Sequence, residues 1–141
     1  MITIRRFKAK DVSRGLLNVL SDLTKTGVID KRRLKLIIKR INNRFYNIFI
    51  AEADGKIVGT ATLLIEQKFI HQGSSVAHIE DVAVKGNQQG RGIGLLLMKK
   101  LIKEAKRNKC YKIILDCNKG VAGFYKKMGF YVNGYCMRLD L

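Results

Sequence analysis

Apolar and polar residues follow two periods along this chain, and the switches between them mark its elements. Thr3 to Phe7 reads as a short strand. Asp11 or Ser13 then caps a helix whose apolar positions Leu16, Leu17, Leu20 and Leu23 keep the helical period, and Thr24-Lys25-Thr26-Gly27 breaks it. Asp30 caps a second helix, with Leu34, Ile37, Ile38 and Ile41 predicted inward and Lys31, Arg32, Lys35, Lys39 and Arg40 outward. The period then becomes two. Tyr46 to Ala53 and Ile57 to Glu66 predict paired strands around an Asp54-Gly55 turn. Lys68 to Gly73 reads as a loop, Ala77 to Val84 as a strand and Lys85 to Gly90 as a polar turn. From about Ile93 to Arg107 the helical period returns. Ile93, Leu97, Leu101 and Ala105, with Met98 and Ile102, predict a core face, and Lys99, Lys103 and Lys106 a wet one. Tyr111 to Asp116 is mostly apolar, as in a strand at a buried sheet centre. Val121 to Met128 predicts a short helix with Gly129 as its C-cap, and Phe130 to Leu139 a last strand. The order β-α-α-β-β-β-α-β-α-β contains a strand, glycine-rich turn, helix and strand in succession, which is a crossover unit. The expected fold class is α/β around a central mixed sheet, as one domain over residues 1–141.

Composition adds bounds. With 141 residues, 47% of them hydrophobic and no proline, the chain is long enough to bury a core. No apolar run approaches the roughly 20 residues that cross a bilayer, so no membrane partner is expected. Met1 to Lys10 lacks the apolar stretch of a secretory signal. Cys110, Cys117 and Cys136 are odd in number and show no CxxC spacing. A disulfide framework and a metal site are therefore not expected, and a reducing cytoplasm fits. Charge changes the picture more. Twenty-eight Lys and Arg against eleven Asp and Glu give +17. Such a field attracts polyanions, whether nucleic acid or the phosphates of a small molecule. The cations fall mostly on helix faces, where they also serve simply to solvate the surface. Nucleic acid is thus the weaker expectation, and charge alone selects no function.

Four segments carry candidate chemistry. Gln89-Gly90-Arg91-Gly92-Ile93-Gly94 lies between a strand and a helix N-terminus. Glycines let backbone N–H groups approach an anion, and the helix start adds unpaired donors. A pyrophosphate suits it, with Arg91 or Lys85 adding charge. The GxGxG spacing is not the dinucleotide fingerprint, and no GK[ST] follows. A tight turn without ligand is the other reading. Glu80 and Asp81 sit within the otherwise apolar strand His78 to Val84. Strict alternation puts them on opposite faces. One acid then lies near a core or cleft, which is costly unless it meets a cation or a substrate amine; a solvated edge position is the alternative. Asp116 ends its strand at the edge where ligands bind parallel sheets. Tyr125 is either a phenolic proton donor or a core aromatic, and on the residues alone the core reading leads.

The Gln89 to Gly94 run fits the [Q/R]xxGx[G/A] motif of the GNAT acetyltransferase superfamily. Together with Ala61 to His71, His78 to Val84, Cys110 to Cys117 and Phe124 to Phe130, the chain resembles the eukaryotic glucosamine 6-phosphate N-acetyltransferases. Leu23 to Gly27 is similar to the exit of their first helix. The resemblance implies the GNAT fold, a mixed sheet splayed between its fourth and fifth strands and flanked by helices. It implies direct acetyl transfer from acetyl-CoA to the 2-amino group of D-glucosamine 6-phosphate, in UDP-N-acetylglucosamine biosynthesis. The implied cofactor contacts are Val82, Ala83 and Val84 along the pantetheine arm, and Gly90, Arg91, Gly92, Ile93, Gly94 and Leu95 on the pyrophosphate. Lys126 and Lys127 flank the cofactor. Tyr125 becomes the acid for the leaving thiolate, which reverses the core reading. Asp116 or Glu80 would orient and help deprotonate the ammonium. Thr24, Lys68, Phe69, Ile70, His71, Glu80, Asp81, Tyr111, Lys112 and Asp116 are the implied sugar contacts. The family's homodimer implies that Arg138 reaches a phosphate in the partner's site. The competing expectations are a GNAT enzyme acting on another small amine or a peptide amine, and a non-enzymatic nucleic-acid binder.

Overall fold

The computed structural model describes all 141 residues, and its sheet grows outward from one hairpin. Asp54 and Gly55 take φ of 49° and 72°, the left-handed pair that a two-residue turn between twisted strands requires. They join β2 (Tyr46–Ala53) to β3 (Lys56–Gln67). β1 (Ile2–Arg6) pairs antiparallel with β2, β4 (Ser75–Val84) antiparallel with β3, and β5 (Cys110–Ile114) parallel with β4. The order is β1-β2-β3-β4-β5. The parallel pairing runs only from Ser75 with Cys110 to His78 with Ile114. From Ile79 onward β4 has no neighbour on that side, so the sheet splays between its fourth and fifth strands.

The crossover helix α4 (Ile93–Arg107) covers one face of the sheet. Its Ile93, Leu97, Met98, Leu101 and Ala105 are buried against Phe49, Ala51, Ala61, Leu63 and Ile79, as the periodicity predicts. Each large apolar side chain so buried contributes about 2 kcal/mol relative to exposure. Lys99, Lys103 and Lys106 are exposed. On the opposite face a single turn, Ala9–Asp11, leads through a widened turn, Val12–Leu16, into the short α1 (Leu17–Leu20). Leu16 and Val19 pack there on Ile50, Ile57 and Ala83. This helix is shorter than its apolar period suggests, because Gly15 leaves helical geometry at φ 112° and Leu23 stays half exposed. Asp11 does more than cap it. Its wholly buried carboxylate accepts the Lys8 backbone N–H at 2.7 Å and both Arg5 Nη groups at 2.8 Å. Arg5 also grips Glu52 at 2.6 Å, tying β1, β2 and the helical segment together.

α2 (Lys31–Ile41) starts where predicted, with the Asp30 carboxylate accepting the Arg33 N–H at 2.7 Å. Its inward row, Leu34, Ile37, Ile38 and Ile41, is only half-buried. α3 (Ile70–Gly73) replaces the expected loop with a left-handed turn in which His71, Gln72 and Gly73 take φ of 50°, 58° and 74°. α5 (Lys119–Lys126) lies slightly earlier than expected, and Gly129 follows it at φ 92°.

Two expectations fail. β5 is the sheet's edge and not its centre, with Lys112 and Ile114 exposed. The apolar run of that segment is one-sided, because α4 covers only its inner face. The last strand does not form: Phe130 to Leu141 pairs with no strand, and Tyr131 to Leu141 is exposed throughout. Alternation gives a segment the capacity to be a strand, but only a partner edge makes it one.

Candidate active site

The site begins with the bare half of β4. Thr60 opposes Ala83 and Thr62 opposes Glu80, so two steps on β3 match three on β4. The extra residue makes a bulge, and Asp81 takes φ of 50° within it. A bulge re-aims side chains. It ends the alternation on which opposite faces for Glu80 and Asp81 depend. Both acids act on one ring: burial, then Asp81, then Glu80 push the Tyr46 phenol above its ordinary range.

Beyond the end of β5 the chain opens into a cleft of about 840 Å3. Glu80, Asp116, Cys117, Tyr125, Lys112 and Lys126 line it, with apolar walls from Ile113, Leu115 and Met128. Burial first, and then the charges of Asp116 and Asp81, raise the Glu80 carboxyl above the usual range, while His78 opposes them. Burial also raises the Tyr125 phenol, assisted by Cys117 and Asp116. The three predicted chemical residues, Glu80, Asp116 and Tyr125, therefore come together. Tyr125 is only half-buried and stacks edge-on against Phe124 and Phe130, so it is packed and accessible at once. Cys117 and His78 also line the cleft and were not expected there. Cys117 adjoins Asp116 in sequence, yet nothing in the sequence places it beside Tyr125.

The glycine turn has two kinds of glycine. Gly90 and Gly92 both take φ of 77°, and a side chain at either would meet open space. From Gly90 to Leu95 no backbone N–H finds an acceptor within the protein. This row of free donors at a helix start fits a phosphate. The turn is held from outside. Gln89 Nε2 donates to the Val84 carbonyl at 3.2 Å, the Asp22 carboxylate accepts the Gly86 N–H at 2.8 Å, and Arg91 bonds Gln88. Gly94 differs, lying inside α4 where a Cβ would come within 3.2 Å of the Phe124 ring. Its smallness seats α5 on α4, a packing role that the motif does not reveal.

Of the other predicted sugar contacts only Lys112 reaches the cleft, and the rest lie apart. Lys68 is ion-paired to Glu66, which also holds His78 at 2.7 Å. Phe69 and Ile70 are exposed on α3 and its approach. His71 stacks on Tyr111 with ring centroids 4.1 Å apart, and Lys112 Nζ lies 5.5 Å from the Tyr111 ring centre. This group surrounds the start of β5, whereas Asp116 and Tyr125 lie past its end. Thr24 is exposed in the loop after α1. Arg138 pairs with Asp140 at 2.6 Å in the exposed tail. None of Thr24, Lys68 to His71 or Arg138 lines the cleft.

Comparison with known proteins agrees with this geometry. The acetyltransferase (GNAT) family matches residues 18–130. A glucosamine 6-phosphate N-acetyltransferase of Candida albicans is 36% identical over 131 residues, covering 91% of this chain and 88% of the relative. One from Trypanosoma brucei brucei is 37% identical over 122 residues, covering 86% and 78%. The crystal structure of the Arabidopsis thaliana glucosamine-6-phosphate N-acetyltransferase superposes with a TM-score of 0.94 at 29% identity, over 99% of this chain and 98% of that one. GNAT enzymes transfer acetyl from acetyl-CoA to amines. Free donors at the start of α4, a splayed β4 and an acid-lined cleft thus have one explanation: the chain belongs to the GNAT acetyltransferase family, among the glucosamine 6-phosphate N-acetyltransferases.

Proposed function

We propose that this chain, as one acetyltransferase domain, acetylates the 2-amino group of D-glucosamine 6-phosphate with acetyl-CoA, releasing N-acetyl-D-glucosamine 6-phosphate and CoA. The observation that carries this reading is the convergence of Glu80, Asp116 and Tyr125 on one cleft beside the splay. The product would feed UDP-N-acetylglucosamine synthesis in the cytoplasm.

Each residue has a task. The donors from Gly90 to Leu95, with Arg91, hold the pyrophosphate, and Lys126 and Lys127 flank the cofactor. Val82, Ala83 and Val84 offer their unpaired edge to the pantetheine arm, and a backbone N–H there polarises the thioester carbonyl. The substrate arrives as an ammonium, which Glu80 and Asp116 attract and orient. It must lose a proton before its nitrogen can bond the acyl carbon. Glu80, raised above the usual carboxylate range, is matched to take that proton directly or through water. As the carbon–sulfur bond breaks, Tyr125, which stays protonated at neutral pH, supplies the thiolate's proton.

The remaining sugar contacts, Thr24, Lys68 to His71, Asp81, Tyr111, Lys112 and Arg138, support a homodimer with the site at its interface. Several of them lie outside the cleft of one chain, and the unpaired tail exposes Tyr131, Val132, Tyr135, Met137 and Leu139. A steady-state assay with glucosamine 6-phosphate, glucosamine and peptide amines tests the reading. The phosphosugar is expected to be preferred by at least an order of magnitude in kcat/KM. Equal turnover of unphosphorylated glucosamine, or preference for a peptide, overturns it.

A further inference from the structure

A proton taken up by Glu80 must leave the cleft before the next turnover, and His78 lies on the way out. From His78 to Glu80 the pairing with β3 is regular: Leu64 opposes His78, Leu63 opposes Ile79 and Thr62 opposes Glu80, and the bulge begins only after Glu80. His78 and Glu80 therefore stand on the same face of β4, about 7 Å apart along the strand. Two side chains and one water span such a gap. Both residues line the cleft, with Asp116. The charge of His78 also acts on Glu80, countering the rise that burial and the two aspartates cause. The other charged groups around His78 are Glu66 and Lys68 from the β3 side, and Lys112 and Asp116 from the β5 side, where Ile114 stands directly opposite the imidazole's residue.

The ring is held in one tautomer. Its Nε2 lies 2.7 Å from Glu66 Oε2, and Lys68 Nζ donates to Glu66 Oε1. Lys68 first, and then His78, hold the Glu66 carboxyl below the usual carboxylate range. Glu66 is thus ionised at neutral pH and only accepts. Nε2 must carry the hydrogen, which leaves Nδ1 of the neutral ring with its lone pair free to take a proton. Glu66 lies outside the cleft lining, and its side chain is 44% exposed against 29% for His78. The row Glu80, His78, Glu66 thus runs from the cleft to open water. Pairing with Glu66 needs only a cation, which Lys68 already supplies; an imidazole can in addition accept and release a proton near neutral pH. We propose that His78, oriented by Glu66, is the proton exit for acetyl transfer: the acid formed on Glu80 gives its proton, directly or through one water, to His78 Nδ1, and the imidazolium releases a proton to bulk water. Glu80 returns to a carboxylate and the ring to its neutral form. With sugar and pantetheine seated, the cleft mouth is filled, and this row is the route that stays wet. The path rests on the reading of Glu80 as the base, for whichever amine is acetylated, since every ammonium must shed a proton.

Steady-state kinetics of His78→Gln with glucosamine 6-phosphate test it. At pH 7 kcat is expected to fall about tenfold, less than the loss of a direct acid or base, with KM for both substrates within about twofold. Added imidazole is expected to restore the lost kcat in proportion to its concentration and to leave the wild type unchanged, which a residue that only packs or pairs would not show. In a Glu80→Gln background, His78→Gln is expected to add no further loss to the residual activity. Glu66→Gln, a milder change that leaves the ring in place, is expected to lower kcat by a smaller factor with KM unchanged, and it carries the test if His78→Gln melts early. Undiminished kcat in His78→Gln or in Glu66→Gln, a loss that imidazole does not reverse, or a loss that multiplies with that of Glu80→Gln overturns the path. Full activity of Glu80→Gln overturns instead the reading of Glu80 as the base, so the two failures are told apart.

Discussion

Tyr125 and Glu80 show how a single side chain acquires its chemistry from its surroundings. Burial keeps the Tyr125 phenol protonated beyond its ordinary range, so it is stocked with a proton at neutral pH. Tyr125→Phe is expected to lower kcat by about 10²-fold, the smaller end of what a positioned acid supplies, while coenzyme A affinity measured by calorimetry changes little. An unchanged kcat would retire Tyr125 as the acid. Glu80 runs the other way in stability. Its folded-state pKa is raised, so its contribution is most favourable below the ordinary carboxylate range and is lost as pH rises through the raised value. At pH 7.5 the charged Glu80 therefore works against folding, as functional-site residues often do. Glu80→Gln is expected to melt higher than the wild type at pH 7.5 and to converge with it near pH 4, while losing activity. A lower melting temperature at pH 7.5 would contradict this sign.

At the scale of elements, close approach fixes the site's frame. Gly59 on β3 lies under α4, where a Cβ would come 3.1 Å from the Ala83 carbonyl and from Ile93, and 3.2 Å from Leu97. Backbone on one side and the helix on the other leave no easy relief. Gly59→Ala is expected to cost about 1–3 kcal/mol, read by urea denaturation, and to weaken coenzyme A binding because it shifts the start of α4. Gly94→Ala presses instead on one ring of Phe124, which can yield by a few tenths of an ångström, so its effect on stability is expected to be smaller. A larger loss at Gly94 than at Gly59 would show that α5 is seated more rigidly than this geometry implies.

The whole molecule is shaped by what its tail lacks. Residues 131–141 are exposed and unpaired, yet rich in tyrosine and aliphatic side chains. Apolar segments of this kind reach a stable state by pairing with another copy. Light scattering is expected to give a dimer mass for the full chain and a monomer mass after deletion of Tyr131 to Leu141. An unchanged mass would remove the tail from the interface. The same deletion strips Tyr131 to Cys136 from the cleft wall, so activity is expected to fall with the mass.

The sequence by itself determined the helices and strands whose burial is periodic. It placed Ile93, Leu97, Met98, Leu101 and Ala105 in α4's buried row, because a helix against a sheet must repeat its apolar face every three to four positions; Ile102 instead lies half-buried in the cleft wall, and the buried Glu104, paired with Arg6, takes a place the period did not mark. It also picked out Glu80, Asp116 and the glycine turn, since acids in an apolar strand and glycines before a helix violate local preference unless something requires them. Tertiary structure decided the rest. The bulge at Asp81, which breaks the alternation between the two acids, depends on pairing with β3. The edge position of β5 depends on which strands find partners. The packing role of Gly94 and the closeness of Cys117 to Tyr125 join segments that no local pattern connects. The tail's missing strand has the same cause: strand pairing is a property of two edges, and a sequence displays only one.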